Sequence, residues 1–384
     1  MTERRPLEMH WFLPTTGDGR SVIDFFPDPS RRGTGSGARR ADIDYLRQIA
    51  QAADRLGFAG VLTPTGSQCE DAWLVSAALA GATERLKFIV AFRPGFVLPT
   101  LAAQMAATLQ RISRGRTLIN IVAGGDAAEQ RTYGDFLDHD ERYARADEFL
   151  SILRRAWEGQ PFSFEGAHYH VEKAGLRKRL GGGGGGDAVD YGAERPLIYF
   201  GGASEAAEAI AAKHADVYLL WGEPPAWVEE RVARMAALAA AQERRLRFGI
   251  RLHVIARDRE EDAWGEAERL MSSMPQEQIE VAQRRFSKSE SVGQQRMTAL
   301  NNGKLDMEAL TVAPNLWSGI GLVRGGAGTA LVGSYDQVAE RIGEYAQLGL
   351  DTFILSGYPH LEEAYVVGEQ ILPRAREITA RVSA

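Results

Sequence analysis

Ile43-Asp44-Tyr45-Leu46-Arg47-Gln48-Ile49-Ala50-Gln51-Ala52-Ala53-Asp54-Arg55-Leu56-Gly57 is followed almost at once by Gly60-Val61-Leu62-Thr63-Pro64. In the first run apolar residues return every three or four positions, which is the spacing of one helix face, and Gly57 supplies a stop. The second is a short β-rich run closed by proline. This pairing repeats along the chain. Strands are predicted at Met9–Pro14, Gly60–Pro64, Leu86–Phe92, Thr117–Val122, Leu197–Phe200, Val217–Trp221, Phe248–Ala256 and Thr352–Ser356. Helical spacing falls between them at Ile43–Leu56, Thr100–Ile112, Glu141–Trp157, Glu205–His214, Ala226–Gln242 and Tyr335–Gln347. Strand–helix alternation implies a parallel sheet, and eight such strands imply a closed α/β TIM (β/α)8 barrel. The alternative architecture is an open doubly wound sheet.

Three segments stand outside this pattern within a single expected domain, 1–384. Residues 21–40 are rich in Asp, Pro, Gly, Ser and Arg and read as a long loop after the first strand. Residues 181–192 open with six glycines and read as a flexible connector. The third lies between the seventh and eighth strands, about 95 residues where a helix and two turns would suffice. It holds helical patterns at Glu261–Ser273 and Gln276–Phe286, and its central part, about 265–322, is placed to act as a lid. Barrel active sites lie on the face made by the βα loops, where such an insertion emerges.

With 45 % apolar and 25 % charged residues the 384-residue chain has an ordinary globular composition. Its net charge of −6 argues against a general nucleic-acid binder, so anions would have to be attracted locally. Met1–Pro6 has basic residues but no apolar core of signal length after it, and no run of about 18 apolar residues occurs elsewhere. A cytoplasmic protein without a membrane partner is expected. A single cysteine, Cys69, rules out an internal disulfide and any cysteine-cluster metal site.

A barrel assigns chemistry to strand ends. The first strand offers Thr15, Thr16 and Asp18; the second Ser67, Gln68, Cys69, Glu70 and Asp71; the third Arg93. The seventh carries Arg251 and His253 at alternate positions, so both point into the barrel. A guanidinium buried there needs either an opposing carboxylate or an anionic ligand. His253 by itself reads as a satisfied core histidine, and Cys69 as either an inert buried thiol or a site residue. The eighth strand runs into Ser356-Gly357-Tyr358-Pro359-His360, where Pro359 stiffens the turn that presents Tyr358.

Upstream of that strand lies Val323-Arg324-Gly325-Gly326-Ala327-Gly328-Thr329-Ala330-Leu331-Val332-Gly333. So many glycines let a backbone fold closely around something, and Arg324 suggests that it is negatively charged. The third glycine of a dinucleotide fingerprint is missing, and no Gly-Lys-Ser/Thr follows. Two arginines converging on one cavity suit a sulfonate, phosphate or carboxylate. Gly201-Gly202-Ala203-Ser204-Glu205 opens a helix directly after the fifth strand and reads as an anion seat or as a plain helix cap. His139 and Tyr143, four apart at a helix start, share one face; the spacing would suit a metal, but no third ligand is suggested.

Several blocks together resemble the bacterial luciferase-like flavin monooxygenases, and within them the alkanesulfonate monooxygenases. They are His10-Trp11-Phe12-Leu13-Pro14-Thr15, Thr65–Trp73, Leu220-Trp221-Gly222-Glu223-Pro224-Pro225, Phe248–Ile255, Ser291–Met297 and Leu322–Tyr365. The resemblance spans nearly the whole chain. It implies an enzyme that takes FMN as FMNH2 from a separate NAD(P)H-dependent FMN reductase, uses O2, and splits an alkanesulfonate into an aldehyde and sulfite. It also implies a homotetramer.

By the same resemblance Arg251 and Arg324 match the functional arginines, His253 and Tyr358 match acid–base or proton-donating positions, and Trp221 and His360 line the pocket. Cys69 matches a cysteine associated with binding rather than nucleophilic attack. His139, Tyr143 and Ser204 match flavin contacts, with Gly202 and Ala203 beside Ser204 at the phosphate, and Gln276–Leu310 matches a mobile segment that closes over the site. Thr16 stands where the alkanesulfonate enzymes have a histidine, which opens the substrate range. Competing readings are a related monooxygenase acting on methanesulfonate, a sulfone or another small molecule, a deazaflavin-dependent hydride-transfer enzyme, and a non-catalytic flavin-binding barrel.

Overall fold

The computed structural model describes residues 5–24, 38–176 and 195–383. The hexaglycine run and its sequel, 181–192, and most of 21–40 lie outside the described residues. In chain order the strands are β1 (Glu8–Phe12), β2 (Gly60–Thr63), β3 (Lys87–Phe92), β4 (Thr117–Ile121), β5 (Phe162–Glu165), β6 (His170–Ala174), β7 (Ile198–Gly201), β8 (Val217–Trp221), β9 (Arg247–Arg257), β10 (Thr311–Ala313), β11 (Leu316–Trp317), β12 (Ala330–Ser334) and β13 (Leu350–Ser356). The helices are α1 (Ile43–Leu56), α2 (Ala72–Ala80), α3 (Pro99–Ile112), α4 (Ala127–Thr132), α5 (His139–Trp157), α6 (Glu205–His214), α7 (Pro225–Ala240), α8 (Glu260–Ser272), α9 (Gln276–Phe286), α10 (Val292–Asn301), α11 (Met307–Leu310), α12 (Tyr335–Gln347), α13 (His360–Val366) and α14 (Leu372–Ser383).

Strands β1, β2, β3, β4, β7, β8, β9 and β13 pair in parallel in that order, and β13 closes on β1 with Met9 opposite Phe353 and Trp11 opposite Leu355. All eight expected strands are staves of this TIM barrel. The local signals that start its helices are visible: Asp42 caps α1 by accepting from the Tyr45 N–H at 2.9 Å, and Gly57 ends it at φ +84°. Leu46, Ile49, Ala50 and Ala53 of α1 are buried against the sheet, each large side chain contributing about 1.5–3 kcal/mol of transfer free energy.

The barrel interior is layered. At its floor Glu8 accepts from Lys87 at 3.1 Å and Arg247 at 2.9 Å, and Arg247 also bridges Asp351 at 2.9 Å. Above this sit the wholly buried His10 and Tyr199, with ring centroids 6.2 Å apart, and then an apolar tier of Phe12, Leu62, Ile89, Ala91, Leu118 and Ile354. Arg251 and His253 stand at the upper end.

The structure adds elements that the alternation did not signal. β5 and β6 form a separate antiparallel hairpin after α5. β9 is 11 residues long: its first part pairs with β8 and β13, and its upper part continues beyond the barrel to pair with β12, His253 opposite Ala330 through Arg257 opposite Ser334. Ala330–Gly333 is therefore strand, not the end of a glycine loop, because the extended β9 offers an unpaired edge that the apolar Ala330-Leu331-Val332 can take. Beneath the β9–β13 insertion lies a second apolar core that includes Ile255, Leu270, Ile279, Trp317, Leu322 and Val332. Among the described residues no helix is long and apolar enough to cross a membrane.

Candidate active site

The upper end of the barrel brings both expected arginines to one ring. The Cζ of Arg251 lies 4.6 Å, and that of Arg324 5.1 Å, from the Phe12 ring centroid. Arg251 is buried and donates to the Leu252 carbonyl at 2.6 Å and the Ser356 hydroxyl at 2.8 Å; among the described residues no carboxylate pairs with it. Of the two readings that the sequence left open for Arg251, the ion pair is the one this geometry does not supply. Burial, with the neighbouring Arg324 charge added, disfavours its cationic form well below the usual guanidinium range. Since a guanidinium does not deprotonate in proteins, the strain expresses itself as affinity for an anion.

The hydrogen bonds around His253 define one chain of donors. Arg251 donates to Ser356 Oγ, Ser356 lies 2.7 Å from His253 Nδ1, and His253 Nε2 lies 3.2 Å from the Ala327 carbonyl. A carbonyl only accepts, so Nε2 carries the hydrogen and Nδ1 accepts from the serine. Burial first, and then the Arg251 and Arg324 charges, push the His253 pKa well below its ordinary value. His253 also stacks on Tyr358 with centroids 5.5 Å apart and planes 15° apart, and Arg324 Nη1 donates to the Tyr358 hydroxyl at 2.6 Å. Ser356 was missed in the sequence; its only signal was its place at the end of the eighth strand.

The glycines of the arginine loop serve a different purpose from the one expected. A methyl group on Gly328 would meet the Gly321 Cα at 2.5 Å, and the Gly321 N–H donates to the Gly328 carbonyl at 2.8 Å. The loop folds closely on its own insertion, and that contact requires glycine. The Gly326 N–H is held by Gln294 of α10 at 2.9 Å, and Gln283 of α9 donates to the Gly321 and Leu322 carbonyls.

The insertion lies across the barrel mouth. Arg296 grips Glu223 at 2.5 and 2.8 Å, Glu290 pairs with the buried Arg142 at 3.1 Å, and the backbone at Gly293 packs on the Trp221 ring.

Cys69 is partly buried. Burial raises its thiol pKa, against the opposing effects of the Thr15 hydroxyl and the Arg324 charge, so the thiol stays protonated at neutral pH. Thr15, 1 % exposed, is the threonine next to Cys69, whereas Thr16 stands exposed on the turn. Glu129 holds the neighbouring turn by accepting from the Ser67 N–H at 2.7 Å and from Arg93 at 2.5 Å. His360, at the start of α13, is buried and packs edge-on against Tyr358, centroids 5.2 Å apart.

A second cluster forms where α5 and the β7–α6 turn meet. Asp138 and Glu141 form a reciprocal capping box that starts α5, placing His139 and Tyr143 with ring centroids 4.8 Å apart. Ser204 caps α6, its hydroxyl accepting from the Ala207 N–H at 3.3 Å, and burial raises the Tyr143 pKa against the lowering effect of that hydroxyl. The Gly202 carbonyl is taken by the Tyr218 hydroxyl and the Ala203 carbonyl by Arg231 at 3.5 Å, so the turn's carbonyls are tied inward. With the Ala207 N–H taken by Ser204, the N–H groups of Glu205 and Ala206 at the start of the helix are the ones that have no intrahelical partner and can face an anion. Gly202 has φ +154°, and a methyl there would meet Ala207 Cβ at 2.5 Å and come within 3.4 Å of the Tyr143 hydroxyl. Among the described residues no group of three possible metal ligands is assembled, at His139 or elsewhere.

The family model for luciferase-like monooxygenases matches residues 22–352. The chain belongs to the luciferase-like monooxygenase family. An oxidoreductase follows from that membership. Among solved structures, similar folds include a riboflavin lyase with modified FMN and riboflavin (20 % identity, TM-score 0.77, 99 % of this chain and 93 % of that one). The EDTA monooxygenase from Chelativorans sp. BNC1 matches at 19 % identity and TM-score 0.74 over 99 % of this chain and 95 % of that one. A long-chain alkane monooxygenase matches at 18 % and 0.75 over 100 % and 92 %. At such identities the likeness establishes the shared luciferase-like barrel.

Proposed function

We propose that this luciferase-like enzyme is a two-component monooxygenase. It takes FMNH2 from a separate NAD(P)H-dependent FMN reductase and uses O2 to cleave the C–S bond of an alkanesulfonate, giving an aldehyde and sulfite. The observation that carries the substrate class is the pair of guanidiniums, Arg251 and Arg324, sharing the Phe12 ring with no carboxylate against Arg251 among the described residues. A sulfonate stays anionic at any biological pH, so a permanently charged fork is its apt partner.

The β7–α6 turn fits a flavin phosphate. Gly202 leaves the space that a side chain would fill, Ala203 and Ser204 supply helix-start donors, and His139 and Tyr143 flank them. Bound there, reduced flavin would supply the means of activating oxygen. The remaining roles belong to this chain's side chains. Arg324 anchors the sulfonate and orients Tyr358 as a proton donor through their hydrogen bond. Arg251 stabilises negative charge as it develops in the pocket. His253, with both nitrogens engaged, fixes the Ser356–Arg251 arrangement, and can exchange a proton when its bond to Ala327 opens. Trp221 and His360 wall the pocket, and Cys69 contributes a neutral thiol beside it. The insertion, held by Arg296 and Glu290, keeps bulk water out of a reaction that hydrolysis would waste. Assembly as a homotetramer accompanies this reading.

A second reading is favoured by Thr16. A small exposed hydroxyl at the mouth, in place of an imidazole, admits methanesulfonate, a sulfone or another small substrate of the same chemistry. One assay separates the readings: the protein with an FMN reductase, NADH and O2 is given alkanesulfonates of increasing chain length, methanesulfonate and a dialkyl sulfone, and sulfite or sulfinate is measured. Sulfite from the longer sulfonates is expected. No sulfite at any length would remove the sulfonate proposal and leave the fold and family untouched.

A further inference from the structure

Asp18 sits just after β1, on the limb that runs into the first loop, and is 1 % exposed. Its carboxylate has a full set of four donors. Oδ1 accepts from the Gly19 N–H at 2.9 Å and lies 2.8 Å from His360 Nδ1; Oδ2 accepts from the Tyr45 hydroxyl at 2.5 Å and the His360 N–H at 2.7 Å. One histidine is thus held at both its backbone and its ring. The main chain at Asp18 is pinned as well, because it exchanges two hydrogen bonds with Arg39, 2.9 and 2.7 Å, as the loop returns. Arg39 in turn grips Glu362 and donates to the Tyr45 hydroxyl at 3.1 Å.

The other ring nitrogen of His360 is in a different position. Nε2 is buried and has no hydrogen-bond partner among the described residues, while the ring packs between Phe12, at 5.8 Å, and Tyr358. A buried N–H left without an acceptor is costly, which disfavours placing the ring hydrogen at Nε2. An ionised carboxylate can only accept, so the hydrogen belongs on Nδ1. Burial alone would raise the Asp18 carboxyl pKa, but His360 and Tyr45 outweigh it and hold the group below its ordinary range, so the acceptor is ionised at neutral pH.

We propose that Asp18 is a positioning residue that fixes His360 as the Nδ1–H tautomer and so presents Nε2, unprotonated, as a hydrogen-bond and proton acceptor beside Tyr358 in the pocket. The effect on turnover rests on the proposed sulfonate reaction; the tautomer does not. The return limb of the first loop, through Arg39, is part of the same support.

The test uses the full-length protein labelled with 15N-histidine, with the His360 ring signals assigned by their loss in His360→Gln. The wild type should show a pyridine-type Nε2 signal and a protonated Nδ1. Asp18→Ala should lose the pyridine-type Nε2 signal, and Tyr45→Phe should keep it. In the sulfite assay Asp18→Ala should lower kcat by roughly 100-fold, with KM for the sulfonate changed by less than about threefold. A protonated Nε2 in the wild type overturns the proposal without recourse to any variant. So does an unchanged Nε2 signal in Asp18→Ala, or an unchanged kcat. If neither protein makes sulfite but the Nε2 signals behave as stated, the sulfonate reading fails and the positioning role of Asp18 stands.

Discussion

Arg251→Met should raise or preserve stability while abolishing turnover. Arg251 is buried with no carboxylate partner among the described residues, and its hydrogen bonds go to two backbone carbonyls and to Ser356. Methionine has a similar reach, removes the uncompensated charge and leaves Ser356 its bond to His253. Replacing buried ionic groups by well-packed apolar ones is often stabilising by about 1–4 kcal/mol, and the orphaned carbonyls return part of this, so a net gain of about 0–2 kcal/mol is expected. For 384 residues the unfolding entropy is about 0.8 kcal/mol per K, so the Tm should rise by about 0–3 °C. A ligand at 100 times its Kd stabilises by about 2.7 kcal/mol, which shifts the wild-type Tm upward by about 3 °C with octanesulfonate. The variant should show little of that shift. Differential scanning calorimetry of both proteins, with and without octanesulfonate, measures all four values without flavin. A fall of more than about 3 °C in the unliganded variant would show that Arg251 is structural, and an undiminished octanesulfonate shift would show that it does not meet the anion.

Arg324→Ala should keep the fold, since the side chain is only half-buried, and lose roughly 30- to 1000-fold in kcat/KM for the sulfonate, the loss of one charge-paired anchor; surviving activity in the sulfite assay would make it a structural residue. Gly202→Ala should weaken FMN binding at least about tenfold in a fluorescence titration, because the new methyl meets Ala207 and approaches Tyr143; equal affinity would place the phosphate elsewhere. His10 is buried with its pKa pushed down to about 4 by desolvation, so the unfolded chain binds a proton near pH 6.5 before the native one does. Its contribution to stability is therefore present above that pH and lost as pH falls, by about 2 kcal/mol between pH 7 and 5. Urea unfolding of wild type and His10→Phe at both pH values tests this, and an equal pH dependence in the two proteins would contradict it.

Much of the fold was legible because it is written locally. Helical periodicity, caps such as Asp42 and Gly57, and short β-branched runs each depend on neighbours a few residues away, and eight repeats of that unit leave a closed barrel as the natural solution. The alternation in β9 also showed that Arg251 and His253 share a face. What it could not show was whether a carboxylate stands opposite Arg251, since the ring it meets is Phe12, 239 positions away, and its hydroxyl partner Ser356 arrives on another strand.

The arginine loop divides the two kinds of information. Its glycines announced a close backbone approach, but whether to a ligand or to protein depended on which segment stood opposite, and Gly321 stands there. Its last residues became strand only because β9 outruns the barrel and offers an edge. Likewise Asp18 was visible as a polar residue at a strand end, while its clasp on His360 spans 342 positions and exists only once β1 and β13 are neighbours. The sequence by itself determined the eight barrel strands, most of the helices between them and the residue types at the barrel's mouth. Tertiary structure alone decided which of those groups are paired and which are left seeking a partner, because pairing is a property of distance in space and strands far apart in the chain set that distance.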